Sequence, residues 1–365
     1  MDRKSIISLI YMLFVLSNLF SQNYRLLVGT YTRETSSEGI YALEIDKKGN
    51  LISKKLLAKS DNPSFLAFSP DKRYLYTVNE IGNTSFVSAF SFDETKQELT
   101  FLNKTEVEGD PCHITCTDNH VFTANYSAGS IAVFEREADG SLSNAVQVIT
   151  HPRVLFGRGR TGPGNAHQII PSPNGKFMMA TNLGTDRVFT YRYNAKSNTE
   201  VLTYVDDLKV NRGSGPRHMT FSKDGKYLYL LNELNASLVV FSVAESGSLS
   251  IIQETTLVTD LTLKNGAADI HLTPDGKFLY ATNRGESNTI TAFRVNTDGT
   301  LKWVKQYPTY GNPPRNIATS PDGKFIFVGN QRTNNITVFQ KKICGKLKLI
   351  NKDIELGAPV CLLFY

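Results

Sequence analysis

The chain is 365 residues long, with 40 Lys and Arg against 34 Asp and Glu, and its hydrophobic and aromatic fractions are 41% and 10%. Glycine and proline at 26 and 14 residues exclude collagen-like or low-complexity character, and the apolar content excludes wholesale disorder. The net charge of +6 is small and scattered; it demands no nucleic-acid partner and is compatible with an anionic small molecule.

The chain opens MDRKSIISLIYMLFVLSNLFSQ. Arg3 and Lys4 form a basic lead, and Ile6 to Leu16 an apolar core too short for a bilayer span, which takes about 20 residues. Small Ser21 then stands at a plausible cleavage position before Gln22. Residues 1–21 are therefore expected to be a signal peptide. The remainder, 22–365, is expected to be exported, periplasmic or secreted, and to leave the membrane once the signal is removed. Four cysteines in such a protein invite disulfides. Cys112 and Cys116, however, sit four apart on one expected strand, about 13 Å at about 3.3 Å per residue, too far to bond. Cys344 and Cys361 show no framework spacing, and no Cys-x-x-Cys pair suggests zinc. All four are expected as small core residues.

Beyond the signal, LLVGTYT and then GIYALEIDKKGNL read as two strands and a turn. Six segments follow that share one pattern: NPSFLAFSPDKRYLYTVNE, DPCHITCTDNHVFTANY, NAHQIIPSPNGKFMMATNL, GPRHMTFSKDGKYLYLLNE, GAADIHLTPDGKFLYATNR and PPRNIATSPDGKFIFVGNQ. Each is an apolar run, a turn of the Pro-Asp-Gly-Lys type and a second apolar run, which is the mark of a hairpin. Their asparagines, Asn79, Asn125, Asn182, Asn232, Asn283 and Asn330, are separated by 46, 57, 50, 51 and 47 residues. After each comes a third strand, such as RVFTYRY or TITAFRV, then a polar turn (EADGSL, AESGSL, NTDGTL) and a fourth strand. Four antiparallel strands in a repeat of about 50 residues predict one blade of a β-propeller. The C-terminal GAPVCLLFY matches a first strand and then stops, completing the split copy at the N-terminus. The prediction is an all-β, seven-bladed β-propeller in a single domain, closed by pairing the last strand with the first so that no sheet edge stays open.

This register has a functional consequence. First strands run from the channel mouth down to the Pro-Asp-Gly-Lys turn and second strands climb back, so the residues opening one and closing the other meet at the mouth. The opening positions are Ser64, Cys112, His167, Arg217, Ala268, Arg315 and Val360, followed by Phe65, His113, Gln168, His218, Asp269, Asn316 and Cys361. The closing positions are Tyr31, Glu80, Tyr126, Leu183, Glu233, Arg284 and Gln331. The repeated asparagines are expected to be structural, bonding local backbone at the strand end. The mouth residues differ from blade to blade. Among them His167, Arg217, Glu233, Arg284 and Arg315 form a charged cluster that is costly to bury unless it binds something charged.

The long interval carries an insert, HPRVLFGRGRTGPGN (151–165), with Arg153, Arg158 and Arg160, which is expected to lie over the same mouth. His151 and His120 are expected to be solvent-exposed, His271 to be a satisfied core histidine and Trp303 to pack on an outer strand. No nucleophile elbow, phosphate-binding loop or calcium loop is present in the sequence.

The repeated SPDGK hairpins, TNLGTDRV, GPRHMTFSKDGKYLYLLNE and ATNRG resemble the lactonase family of seven-bladed propellers, which includes bacterial 6-phosphogluconolactonase and the carboxy-muconate lactonizing enzyme. The resemblance covers essentially the whole chain after the signal. It implies that the family's active-site His, Arg, Glu and Arg fall on His167, Arg217, Glu233 and Arg284. The family often has a His-x-His pair where this chain has Asn165 and His167. The expected function is metal-independent and cofactor-free hydrolysis of a sugar-acid lactone, 6-phosphogluconolactonase-like. Arg315, His113, His218 and Arg160 are expected to help bind a small anionic substrate, and a ring of this size is expected to act as a monomer. Two alternatives stand beside this reading: a muconate-type cycloisomerase on the same residues, and a non-enzymatic exported propeller that binds a glycan, peptide or protein.

Overall fold

The computed structural model describes residues 23–365, apart from 83, 153, 157–159, 163 and 261, with 154–156 and 160–162 described by backbone alone. The expected signal peptide, Arg153 and Arg158 lie outside the described residues. Seven four-stranded antiparallel sheets are arranged as blades around a channel. In chain order, blade 1 spans 63–107, blade 2 spans 111–150, blade 3 spans 166–209, blade 4 spans 216–256, blade 5 spans 267–308 and blade 6 spans 314–355. Blade 7 is the split copy, with Pro359–Phe364 innermost beside Tyr24–Thr30, then Gly39–Ile45 and Leu51–Lys59.

Closure follows the predicted register. Leu26, Leu27 and Val28 face Phe364, Leu363 and Leu362, so the two ends of the chain share one sheet. Gly29 lies where this sheet crosses blade 1; a Cβ there would meet the Pro63 carbonyl oxygen at 2.3 Å, which only glycine avoids.

Two local devices repeat. In the turn joining first and second strands a hydroxyl bonds the acidic or amide residue two positions on and receives an N–H five positions on. Ser222 Oγ donates to Asp224 Oδ1 at 2.7 Å and accepts from Tyr227 N at 2.9 Å, and Ser172, Thr273 and Ser320 do the same. In the turn joining third and fourth strands a glycine at positive φ rests on an aromatic ring of the preceding blade. Gly140 lies against Tyr74, Gly247 against Phe177, Gly299 against Tyr227 and Gly345 against Phe278. The second turn thus serves as a latch between blades as well as a reversal of the chain. Apolar residues of neighbouring sheets interdigitate between blades, as where Tyr229, Leu231 and Val240 of blade 4 meet Ile270, Leu279 and Phe293 of blade 5.

The insert of blade 2 contains a short hairpin, Val154–Phe156 paired with Arg160–Gly162. It leaves from Thr150 and returns at Ala166, both at the mouth end, as Thr150 pairs Ser130 opposite Asn125. Against expectation, His151 is buried. It stacks on Phe189 with ring centroids 4.0 Å apart, its Nε2 is 2.7 Å from the Tyr191 hydroxyl, and its Nδ1 is 2.8 Å from the Asn182 amide. His120 is also buried, between the Tyr193 hydroxyl at 2.9 Å and the Ser197 carbonyl at 3.0 Å. Both belong to segments that look like loops within one blade but pack beneath the next. The four cysteines are free thiols. Cys112 and Cys361 are buried as expected, Cys116 is partly buried, and Cys344 is exposed in a turn. Trp303 packs edge-on against Phe293 on an outer strand.

Candidate active site at the channel mouth

The innermost strands place two successive layers of side chains in the channel. The second layer fastens the ring together. Gln168 Oε1 accepts the Met219 N–H at 2.5 Å, Asp269 Oδ2 the Ile317 N–H at 2.9 Å, Asn316 Oδ1 the Leu362 N–H at 2.7 Å, and Cys361 Sγ the Leu66 N–H at 3.4 Å. Each of these residues therefore caps a backbone donor of the adjacent blade that would otherwise be buried unpaired. The repeated asparagines are buried as well and bond mainly nearby side chains. Asn79 donates to Ser60 and the Asp61 carbonyl and accepts from Ser88, while Asn283 donates to Asn265 and Ser287.

The mouth layer is different. Arg217 opens blade 4 and Glu233 closes its second strand, while Arg284 closes the second strand of blade 5. Glu233 Oε2 receives Arg217 Nε at 2.9 Å and Arg284 Nη2 at 3.0 Å. Backbone carbonyls anchor both guanidiniums further, Ala268 for Arg217 and Gly266, at 2.7 Å, for Arg284. A second group lies across the mouth, where Arg315 donates to the Tyr31 hydroxyl at 2.7 Å and Tyr31 donates to Glu80 at 2.7 Å. Three guanidiniums thus face two carboxylates, leaving one net positive charge. Among the described residues Arg217 Nη2, Arg284 Nη1, and Arg315 Nε and Nη1 have no protein acceptor.

The electrostatics follow from this packing. Burial alone would raise the Glu233 carboxyl, but the charges of Arg217, Arg284 and Arg315 outweigh it and hold the carboxyl below its ordinary value. Burial, with Arg217 next, brings Arg284 down to about 10, so it stays charged at neutral pH. His167 opens blade 3 in the same layer as Arg217, its ring nearly perpendicular to that of Tyr126 with centroids 5.8 Å apart. Burial first and Arg217 second push it well below the usual imidazole value, so it is neutral at pH 7. Its buried Nδ1 has no protein partner among the described residues.

Of the expected substrate-binding residues, Arg315 is at the mouth, while His113 and His218 belong to the second layer. His218 stands 5.1 Å from His167 and 5.9 Å from His113 between ring centroids, and Phe65 lies against both His113 and His218. Although three histidines neighbour one another, no group of three or more His, Cys, Asp or Glu among the described residues is arranged to hold a metal ion. Arg160 is placed by its backbone in the insert hairpin near the mouth. His271, expected as a satisfied core residue, is instead half-exposed. It lies 3.4 Å from Asp269 and borders a cavity of about 250 Å³ below the second layer. The sequence register put Tyr31, Glu80 and Asp269 at the channel without giving them a role. His218 and Asp269 occupy the same layer of neighbouring blades, and that adjacency was the available signal. A larger cavity, about 630 Å³, lies between the outer strands of blades 1 and 2. Among the described residues Glu106 and Glu108 are its charged lining residues, and no basic group joins them there.

A ring of seven blades with a charged cluster at one mouth defines a β-propeller with a polar site assembled from several blades. The family model for the lactonase seven-bladed β-propeller matches residues 25–364, and the chain belongs to that family. It is 34% identical to a Bacillus subtilis 6-phosphogluconolactonase over 92% of this chain and 97% of that protein. It is 31% identical to a Formosa agariphila 6-phosphogluconolactonase, covering 90% and 95%. The solved structure of the Pseudomonas aeruginosa periplasmic gluconolactonase superposes with a TM-score of 0.89 at 35% identity, covering 94% of this chain and 99% of that one.

Proposed function

We propose that this protein hydrolyses sugar-acid lactones of the 6-phosphogluconolactone and gluconolactone type. The observation that carries this reading is the Glu233 carboxylate clamped by Arg217 and Arg284 at 2.9 and 3.0 Å, with further guanidinium donors unused by the described residues. Fixed donors of this kind stabilise the negative charge that develops on a lactone carbonyl oxygen when water attacks, and they do so without reorganising. Glu233 keeps both arginines in place. Holding two guanidiniums occupies the Glu233 carboxylate with donors, and the buried neutral imidazoles His167 and His218 are the other groups near the mouth able to carry a proton. In this reading His167 donates a hydrogen bond to the ring oxygen as the carbon–oxygen bond breaks. The balance is simple: water adds across the ester bond, its hydroxyl joins the carbonyl carbon and its proton ends on the released alcohol oxygen.

The net positive mouth favours an anionic lactone, and Arg315 at its far side is the candidate contact for a phosphate. Support for export comes from the basic-then-apolar N-terminus and from the periplasmic location in the name of the Pseudomonas relative. Action as a monomer on a small substrate, with no nucleic acid involved, completes the proposal. The test is acid release from 6-phosphogluconolactone and gluconolactone above the spontaneous rate, with wild type and Glu233→Gln compared. Turnover should fall by about tenfold to a hundredfold in the variant, in which both guanidiniums, Arg217 and Arg284, lose the carboxylate that pairs with them. Equal turnover in both would remove Glu233 from the mechanism. No acceleration by wild type on either lactone would remove the proposed substrate class.

A further inference from the structure

A small cavity lies between the two layers of the channel, walled by Ser64, Cys112, Arg217, Arg315 and Val360 from the mouth layer and by Phe65, His218 and Asn316 from the second. Its volume, about 10 Å³, corresponds to roughly one water molecule. Two of its lining residues carry buried polar atoms that have no protein partner among the described residues, Ser64 Oγ and His218 Nε2. Buried polar atoms are rarely left unpaired, and a one-water cavity bordered by two such residues is a built hydration site.

His218 is held in a definite state. Its Nδ1 lies 2.7 Å from Asp269 Oδ1, both side chains are buried, and Asp269 is itself fixed by Asn316 Nδ2 at 2.6 Å and the Ile270 and Ile317 N–H groups at 2.9 Å. A carboxylate accepting from Nδ1–H leaves the lone pair on Nε2, so the nitrogen without a partner is the basic one. Burial first and Arg217 second bring His218 down to about 4, so the imidazole is neutral at pH 7 and able to accept a proton. Asp269 remains ionised: burial alone would raise it, but His271 and His218 outweigh that effect.

We propose that the Asp269–His218 pair is the general base of this enzyme, acting on a single water seated in the cavity between Ser64 and His218, directly beneath the arginines. The inference rests on the lactonase reading above and assigns the step that reading left open. His218 Nε2 takes one proton from the water as its oxygen bonds to the lactone carbonyl carbon. Arg217, which walls the same cavity, stabilises the carbonyl oxygen. Collapse of the tetrahedral intermediate breaks the ring carbon–oxygen bond, and the proton on His218 passes to the leaving oxygen by way of His167. Besides Asp269, the charged and titratable groups facing His218 are Arg217 on its own strand, His113 from blade 2, His167 from blade 3 and His271 from blade 5.

The test compares wild type, His218→Asn and Asp269→Asn on gluconolactone, with kcat and KM followed across pH 3 to 7 and folding followed by thermal melting. His218→Asn preserves a donor toward Asp269 while removing the base, so kcat should fall by about a hundredfold or more with KM changed less than about threefold. In wild type, kcat/KM should fall as the pH drops through about 4, where His218 takes up a proton. In Asp269→Asn, loss of the carboxylate makes that protonation harder, so the acid limb should move to lower pH along with a fall in kcat. A Glu233 base would leave the limb where it is. A folded His218→Asn variant with kcat within about threefold of wild type overturns the assignment while leaving hydrolysis intact; so does an unmoved acid limb in Asp269→Asn. Absence of wild-type hydrolysis overturns the lactonase reading itself.

Discussion

At the turn end of the inner strands the same arrangement recurs in blade after blade. Ser172 bonds Asn174, Ser222 bonds Asp224, Thr273 bonds Asp275 and Ser320 bonds Asp322, each hydroxyl also receiving a backbone N–H. At the mouth end no two blades carry the same opening and closing residues, from Ser64 with Glu80 in blade 1 to Arg217 with Glu233 in blade 4. The turn end satisfies most of its polar groups within each turn and by the same bonds in several blades. The mouth satisfies its groups across blades, and only in part, since several guanidinium donors find no acceptor among the described residues. A symmetric scaffold repeats what folding needs and varies where a ligand must be met. The two ends should therefore respond differently to substitution, in activity at one and in stability at the other.

The sharpest contrast is expected at Arg217. Replacement by alanine removes an oxyanion donor and one of the two guanidiniums on Glu233, and turnover of a lactone substrate should fall by about a hundredfold to a thousandfold. The melting temperature should change far less, because the burial of apolar surface between blades is untouched. A variant that keeps its turnover but melts much earlier would place Arg217 with the structural residues and erase the distinction between the two ends.

The next effect in size belongs to the latches between blades. Gly299 has φ of 80° and lies against Tyr227 of the preceding blade, where a Cβ would come within 2.4 Å of a ring carbon. Gly299→Ala must adopt a left-handed backbone and displace that ring, at a cost of about 2 kcal/mol or somewhat more. Denaturant unfolding should show this loss, with kcat and KM unchanged in the folded fraction. A large change in kcat would mean that blade spacing is coupled to the mouth more tightly than the separate layers imply.

These latches also show what could be read from the sequence. The period near 50, the turn pattern and the split copy specify seven blades because each is a local signal repeated many times. Register then carries His167, Arg217, Glu233 and Arg284 to one end of the channel, since counting along a strand requires no knowledge of the neighbouring blade. The contacts that depend on the angle between blades are not encoded locally. Arg315 is bonded to Tyr31 rather than Glu233, and His218 reaches Asp269, because inner strands of adjacent blades set those separations. His151 and His120, expected at the surface, are buried for the same reason, each ending beneath an aromatic residue of the following blade.

The smallest effect is expected where the repeat is most regular. Ser222 is partly exposed, and its hydroxyl links Asp224 to the Tyr227 N–H in a turn that water can reach. Ser222→Ala should cost about 0.5–1 kcal/mol, because water can replace part of what is lost, and it should leave turnover unchanged. Thermal melting resolves a difference of that size when variant and wild type are run together. The same substitution at Ser320 should cost more, since that side chain is buried and its partner Asp322 also accepts from Tyr24 of blade 7, linking the last complete blade to the closing one. If Ser320→Ala costs no more than Ser222→Ala, the turn is a purely local device. If it costs more, the repeated turn also helps to close the ring on which the whole mouth depends.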